Sequence, residues 1–217
     1  MKHVIIDYGV GNLASLQSGF ERAGLESIIT DDKDIIQSAT SLILPGVGAF
    51  EPAMQQLRNK GLIALLKNHV EHQKPLLGIC LGMQLLFETS YEYGTHDGLG
   101  FLKGSVRPLQ KAPKVPHMGW NDLKSHSTSP LLDQIPLESY VYFVHSFYAD
   151  ALKSDVLAST SYGDFIPAIV LKNHVVGMQF HPEKSAKVGE QLLKNYGRWI
   201  NEHYSIDGSI SPKNHTA

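Results

Sequence analysis

An α/β fold is what the order of apolar segments predicts: a mostly parallel central sheet with helices on both faces, and an antiparallel or mixed extension from the second half. Three observations carry this expectation. In the first half, short apolar runs alternate with segments of helical period, the pattern of a parallel sheet. Between residues 98 and 163 glycine and proline recur, helical periodicity fades and one extended run follows another, which suits antiparallel pairing. The chain has 217 residues, 42% of them hydrophobic, enough for one domain with its own core and too few for two ordinary ones.

The elements follow in order. Residues 4–7 (Val-Ile-Ile-Asp) read as a first strand. Residues 13–22 read as a helix, with Gly24 just past its end as a C-cap. Residues 27–30 and 41–44 are the second and third strands. Residues 50–70 are largely helical, interrupted near Gly61. Residues 76–79 form a strand and residues 81–88 a helix. In the second half, residues 140–144 and 155–159 read as strands. Residues 166–171 and 175–180 read as a hairpin that turns at Lys172-Asn173-His174, and residues 188–201 as the last helix. Residues 205–217 are polar and are expected to fray. In a parallel sheet, ligands sit beyond the strand C-termini. Asp7–Asn12, Pro45–Gly48 and Cys80 all fall there.

Composition excludes several classes. The formal net charge is −2 with no basic block, which argues against a nucleic-acid partner. No apolar run approaches a membrane span, and the start of the chain has no signal-peptide pattern. The single cysteine forbids an internal disulfide and suits a reducing cytoplasm. The 11 histidines show no metal-ligand spacing, so no metal is expected.

Cys80 sits in Gly78-Ile79-Cys80-Leu81-Gly82, between an apolar strand and a helix. Strand, G-x-C-x-G, helix is the thiol form of the nucleophile elbow. The turn lifts the sulfur above the sheet and sets it at a helix N-terminus, where free N–H groups attract negative charge. A buried structural cysteine is the alternative reading. Near the other end stands His181-Pro182-Glu183. Pro182 biases His181 toward extended backbone, and residues two apart on an extended chain share a face. His181 and Glu183 can then act as base and base-orienting carboxylate; a plain turn after a strand is the alternative. The run Ser41-Leu42-Ile43-Leu44 enters Pro45-Gly46-Val47-Gly48. Acyl transfer needs two N–H donors aimed at the developing oxyanion. Leu81, after the nucleophile, is one natural source and the Pro45–Gly48 turn the other. The turn lacks the length and ending of a phosphate-binding loop.

These segments resemble the class I (triad) glutamine amidotransferases, and the resemblance spans residues 2–203. The elbow and His-Pro-Glu are shared across that family. Asp7-Tyr8-Gly9-Val10-Gly11-Asn12, Pro45-Gly46-Val47-Gly48 and His117-Met118-Gly119-Trp120-Asn121 are similar to its subfamily that serves imidazole glycerol phosphate synthesis in histidine biosynthesis. The resemblance implies one amidotransferase domain over residues 1–204, with 205–217 as a tail. It implies hydrolysis of the L-glutamine side-chain amide by Cys80, His181 and Glu183, with Val47 and Leu81 N–H groups as the oxyanion hole. Gln84 lies one helical turn beyond Cys80 on the same face. The resemblance gives Gln84, Gly46, Gly48, Ser146 and Phe147 the amino-acid end of the substrate; a surface role is the alternative for Gln84. No cofactor is implied. The implied partner is a (β/α)8-barrel cyclase forming a heterodimer, met through Asn12, His117, Met118, Gly119, Trp120, Asn121, Tyr142 and Lys184. Tryptophan is enriched at interface hot spots, although core packing is its commoner fate. A related glutaminase feeding another synthase, and a γ-glutamyl hydrolase or thiol peptidase on the same fold, stay open at this stage.

Overall fold

The computed structural model describes residues 2–204. The expected polar tail, 205–217, lies outside the described residues. The first half alternates as the apolar pattern requires: β1 (His3–Ile6), α1 (Leu13–Arg22), β2 (Ser27–Thr30), α2 (Lys33–Gln37), β3 (Ser41–Leu44), α3 (Phe50–Asn59), α4 (Ile63–Glu71), β4 (Leu76–Ile79) and α5 (Leu81–Leu85). Then come β5 (Phe87–Ser90), β6 (His96–Asp97), β7 (Leu102–Pro108), β8 (His117–Ser125), β9 (Ser139–His145), β10 (Phe147–Ala151), β11 (Val156–Tyr162), β12 (Asp164–Lys172), β13 (Val175–Met178) and α6 (Ala186–His203).

Nine strands form the central sheet in the order β2-β1-β3-β4-β13-β12-β11-β8-β9. The first five are parallel, and from β13 to β9 every pairing is antiparallel. Strands β1, β3, β4 and β13 are buried along their whole length, which is why they read as unbroken apolar runs. Their residues alternate between two cores. Val4, Ile6, Leu42 and Leu44 join Phe50, Met54 and Leu57 of α3 and Leu66 of α4. Ile5, Ile43, Leu77 and Ile79 join Leu16 and Phe20 of α1 and Leu192, Tyr196 and Ile200 of α6. Helices thus cover both faces.

Several expectations need correction. The helix expected over 81–88 stops at Leu85, because Phe87–Ser90 pairs with β7 in a second, four-stranded sheet, β10-β7-β5-β6. The helix expected over 50–70 is two helices, parted where Gly61 takes φ 65°. Helix α2 and strands β5 to β8 and β10 were not expected. The 166–180 hairpin holds, with Lys172 opposite Val175 and a turn at Asn173-His174. Because β1, β3, β4 and β13 run parallel, the segments after them (Asp7–Asn12, Pro45–Gly48, Cys80 and Gln179–Glu183) gather at one edge of the sheet.

Candidate active site

Cys80 occupies φ 54°, ψ −113°, a conformation that L-residues other than glycine rarely adopt. Such strain costs on the order of 1–3 kcal/mol and persists only where the surroundings impose it. Here they do. The Cys80 N–H donates to Met178 O at 2.7 Å, tying the elbow to β13. Helix α5 also presses against the end of β3. A Cβ on Gly82 would lie 1.9 Å from the Leu44 carbonyl oxygen, so only glycine fits. Leu81 begins α5, so its N–H belongs to the first turn, which has no intrahelical acceptor.

The sulfur faces a cavity of about 310 Å³ lined by residues from the strand-end segments and from the β9–β10 corner. Among the residues singled out in the sequence, Val47, Gly48, Cys80, Leu81, Gln84, Ser146, Phe147 and His181 line it together. Gly46 does not. It backs onto α5, and a Cβ there would lie 2.7 Å from the Gly82 nitrogen. Gly48, at φ 96°, lets the chain turn from the strand end into α3. The Tyr8 hydroxyl, fully buried, donates to Pro45 O at 2.6 Å and pins the start of this turn.

His181 is 4% exposed and its Nδ1 lies 2.9 Å from Glu183 Oε1. The pair meets through a different geometry from the extended chain expected. His181 is extended, but Glu183 lies in a single 3-10 turn, Pro182–Lys184. That turn is clamped onto β9. The His181 N–H donates to Tyr142 O at 2.9 Å. The buried Ser185 hydroxyl donates to His181 O at 2.7 Å and accepts from the Tyr142 N–H at 3.0 Å. With Nδ1 committed to Glu183, Nε2 is the free nitrogen, buried and without a hydrogen-bond partner. The Cys80 sulfur shares the cavity with this ring and acts on it electrostatically. Burial disfavours the imidazolium, yet Cys80 and Glu183 outweigh it and raise the His181 pKa to about 10.

The Gln84 amide is held on its nitrogen side. Nε2 donates to Phe147 O at 2.8 Å and to Gln179 Oε1 at 3.0 Å. Three further residues were missed in the sequence as contributors. Gln179 precedes His181 by two positions, so strand periodicity could have flagged it. Ser185 gave no signal beyond its place after His-Pro-Glu. Glu92 follows the misjudged helix and gave none. It lines the cavity, and its Oε2 accepts the Phe50 N–H at 2.6 Å. Burial raises its pKa, and the Phe50 N–H opposes the rise.

The residues suggested for a partner fall into two sets. Met118 (61%) and Trp120 (54%) are exposed, and Trp120 packs edge-on to Tyr142 across the β8–β9 ladder. Asn12 caps α1 through Ser15 N and is exposed, as is Lys184. Gly119 and Asn121 are half-buried. His117 faces the other way: it is 2% exposed and stacked between Phe143 and Tyr162, so a contact surface cannot include it. Among the described residues no group of three or more histidine, cysteine or acidic side chains could hold a metal ion. None of the helices there is long and apolar enough to cross a membrane.

A family model described as glutamine amidotransferase class-I matches residues 4–197. The imidazole glycerol phosphate synthase subunit HisH of Oceanobacillus iheyensis is 49% identical over 197 residues, covering 90% of this chain and 98% of that one. The protein of the same name from Lactococcus lactis is 49% identical over 196 residues, covering 90% and 97%. Among solved structures, PurLQS from Thermotoga maritima superposes with TM-score 0.71 at 20% identity, covering 92% of this chain and 98% of the other. A crystal structure described as glutamine amidotransferase superposes with TM-score 0.69 at 22% identity, covering 89% and 98%. These two likenesses concern the fold.

Proposed function

Because this chain belongs to the class I glutamine amidotransferases, we propose that it is the glutamine-hydrolysing subunit of an imidazole glycerol phosphate synthase in histidine biosynthesis. The observation that carries the chemistry is the meeting of a strained elbow cysteine and a buried His181–Glu183 pair in one cavity.

The Cys80 thiolate, its proton already held on His181 Nε2, attacks the carboxamide carbon of L-glutamine. The carbonyl π electrons move to oxygen. The N–H groups of Leu81 and Val47 receive that charge. Collapse expels the amine, which takes the proton from His181 and leaves as ammonia, and a γ-glutamyl thioester remains on Cys80. His181 then removes a proton from water as it adds to the thioester, and holds it as glutamate leaves and the thiolate is restored. Glu183 holds the ring with Nε2 toward the cavity and stabilises its cation. Gln84, Gly48, Ser146 and Phe147 grip the amino-acid end, and the Glu92 carboxylate complements its ammonium.

Ammonia at neutral pH is mostly ammonium, a poor nucleophile, so the product is useful only when handed directly to a synthase. The partner is a (β/α)8-barrel cyclase in a cytoplasmic heterodimer, docked over the face that carries Met118, Trp120 and Tyr142 with Asn12 and Lys184 at its margin. It joins ammonia to a phosphoribulosyl-formimino nucleotide to give imidazole glycerol phosphate and aminoimidazole carboxamide ribotide. The test is Cys80→Ala in the reconstituted complex. Synthesis from glutamine is abolished, while synthesis from added ammonium salt persists. Hydrolysis of glutamine by the variant at near wild-type rate would sink the mechanism.

A further inference from the structure

Two buried histidines take no part in that chemistry, although one of them borders the cavity. His145 lines it at 6% exposure and His117 stands directly behind, opposite His145 in the β8–β9 ladder. Three hydrogen bonds string them together. His145 Nδ1 lies 2.8 Å from Phe147 O, His145 Nε2 lies 2.9 Å from His117 Nδ1, and His117 Nε2 lies 3.2 Å from Asn121 Nδ2. Asn121 Nδ2 also donates to Ser161 O at 3.1 Å, and Asn121 Oδ1 accepts the Asp122 N–H at 2.9 Å.

The direction of this chain follows from its ends. A carbonyl can only accept, so His145 Nδ1 carries a hydrogen toward Phe147 O. Burial lowers the pKa of His145 to about 3 and that of His117 to about 4, so each ring is neutral and has one donor and one acceptor. His145 Nε2 is then an acceptor, His117 Nδ1 its donor, and His117 Nε2 an acceptor. At the far end the backbone fixes the Asn121 amide with its NH2 toward His117. Both ends therefore demand the same tautomers. The His117 ring is sandwiched between Tyr162 at 4.0 Å and Phe143 at 4.7 Å, which holds the plane of its hydrogen bonds.

The same Phe147 carbonyl takes a hydrogen from Gln84 Nε2. The other Nε2 hydrogen goes to Gln179 Oε1. With its nitrogen side spent, Gln84 has its Oε1 acceptor left for a ligand. We propose that His145 and His117 are positioning residues whose one-way hydrogen-bond chain, running from Asn121 to the Phe147 carbonyl, fixes that carbonyl and through it the Gln84 amide, so that Oε1 meets the substrate's α-ammonium. Reversing the His145 tautomer would set a ring lone pair against the carbonyl oxygen. The carbonyl would shift, and the Gln84 amide could turn its NH2 group outward, where it repels an ammonium. This rests on the reading of the cavity as a glutamine site.

Two measurements test it. In wild-type protein at neutral pH, 15N spectra of labelled histidines should show His145 and His117 each protonated on Nδ1 alone. A proton on Nε2 of either ring would overturn the proposal. His117→Phe keeps the aromatic sandwich and removes the donor. In the complex with its synthase, the variant should raise KM for glutamine by about tenfold, the loss expected when a buried acceptor goes unpaired, with kcat nearly unchanged. Alkylation of Cys80 by iodoacetamide, which needs no ammonium subsite, should keep its wild-type rate. An unchanged KM, or alkylation that collapses alongside it, would also overturn the proposal. Failure of the glutamine reading looks different: Cys80→Ala would still hydrolyse glutamine, whatever the tautomers.

Discussion

At His181 two opposing effects meet on one ring. Burial alone would drive the proton off, but Cys80 and Glu183 hold it on, and its pKa rises from 6.5 to about 10. The sign of the consequence is definite. Between those pH values the folded chain keeps a proton that the unfolded chain has released. The contribution to stability is complete below 6.5 and is lost as pH rises through about 10. Urea unfolding should show wild type losing stability between neutral and alkaline pH relative to His181→Gln, and parallel curves would contradict the assignment. In catalysis, His181→Ala should cost about 10²–10⁴ in glutaminase kcat, the usual worth of a positioned acid–base. Glu183→Gln should cost less, because an orienting group is one part of a coupled unit.

At the scale of elements, the elbow depends on how closely α5 approaches β3. Gly82→Ala would drive a Cβ into the Leu44 carbonyl, and backbone on both sides leaves no side chain to yield. Overpacking of this kind costs about 1–3 kcal/mol or more. Thermal melting should fall, and glutaminase activity with it; a variant of wild-type stability and activity would show that α5 can shift freely. The same elements show what a sequence can disclose. Strands β1, β3, β4 and β13 were legible because both faces are buried, leaving unbroken apolar runs. Strand β8 was not, because His-Met-Gly-Trp-Asn-Asp mixes polar and apolar residues on both of its faces. Its period of two also separates exposed Met118 and Trp120 from buried His117, a distinction invisible until the strand was known. Helix α2 has five residues, too short for periodicity to emerge. The residues around Cys80 and His181 were legible as motifs with strained or extended backbones. Glu92 was not, because nothing local announces that a loop after β5 returns to the cavity.

The whole molecule places its chemistry at one edge of the parallel half-sheet and an exposed apolar face on the antiparallel half beside it. Trp120→Ala should weaken cyclase association by about 2 kcal/mol or more, the scale of a hot spot, and leave the melting temperature of the isolated chain nearly unchanged because the ring is 54% exposed. The Pro45–Gly48 turn holds two glycines, so a peptide flip there is cheap. An oxyanion donor turned away would forfeit about 3–4 kcal/mol of transition-state stabilisation. Glutamate production should therefore rise from the lone chain to the complex to the complex with cyclase ligand, chiefly in kcat. Equal rates would make the chain a stand-alone hydrolase. The central claim, that Cys80 opens the glutamine amide in this cavity to supply a synthase, is tested most directly by labelling the complex with a glutamine-mimicking diazo-ketone and mapping the adduct by mass spectrometry. The account predicts one adduct per chain, on Cys80, prevented by excess glutamine, with glutamine-dependent synthesis lost and ammonia-dependent synthesis retained. An adduct elsewhere, or full glutamine-dependent synthesis with Cys80 blocked, would contradict it.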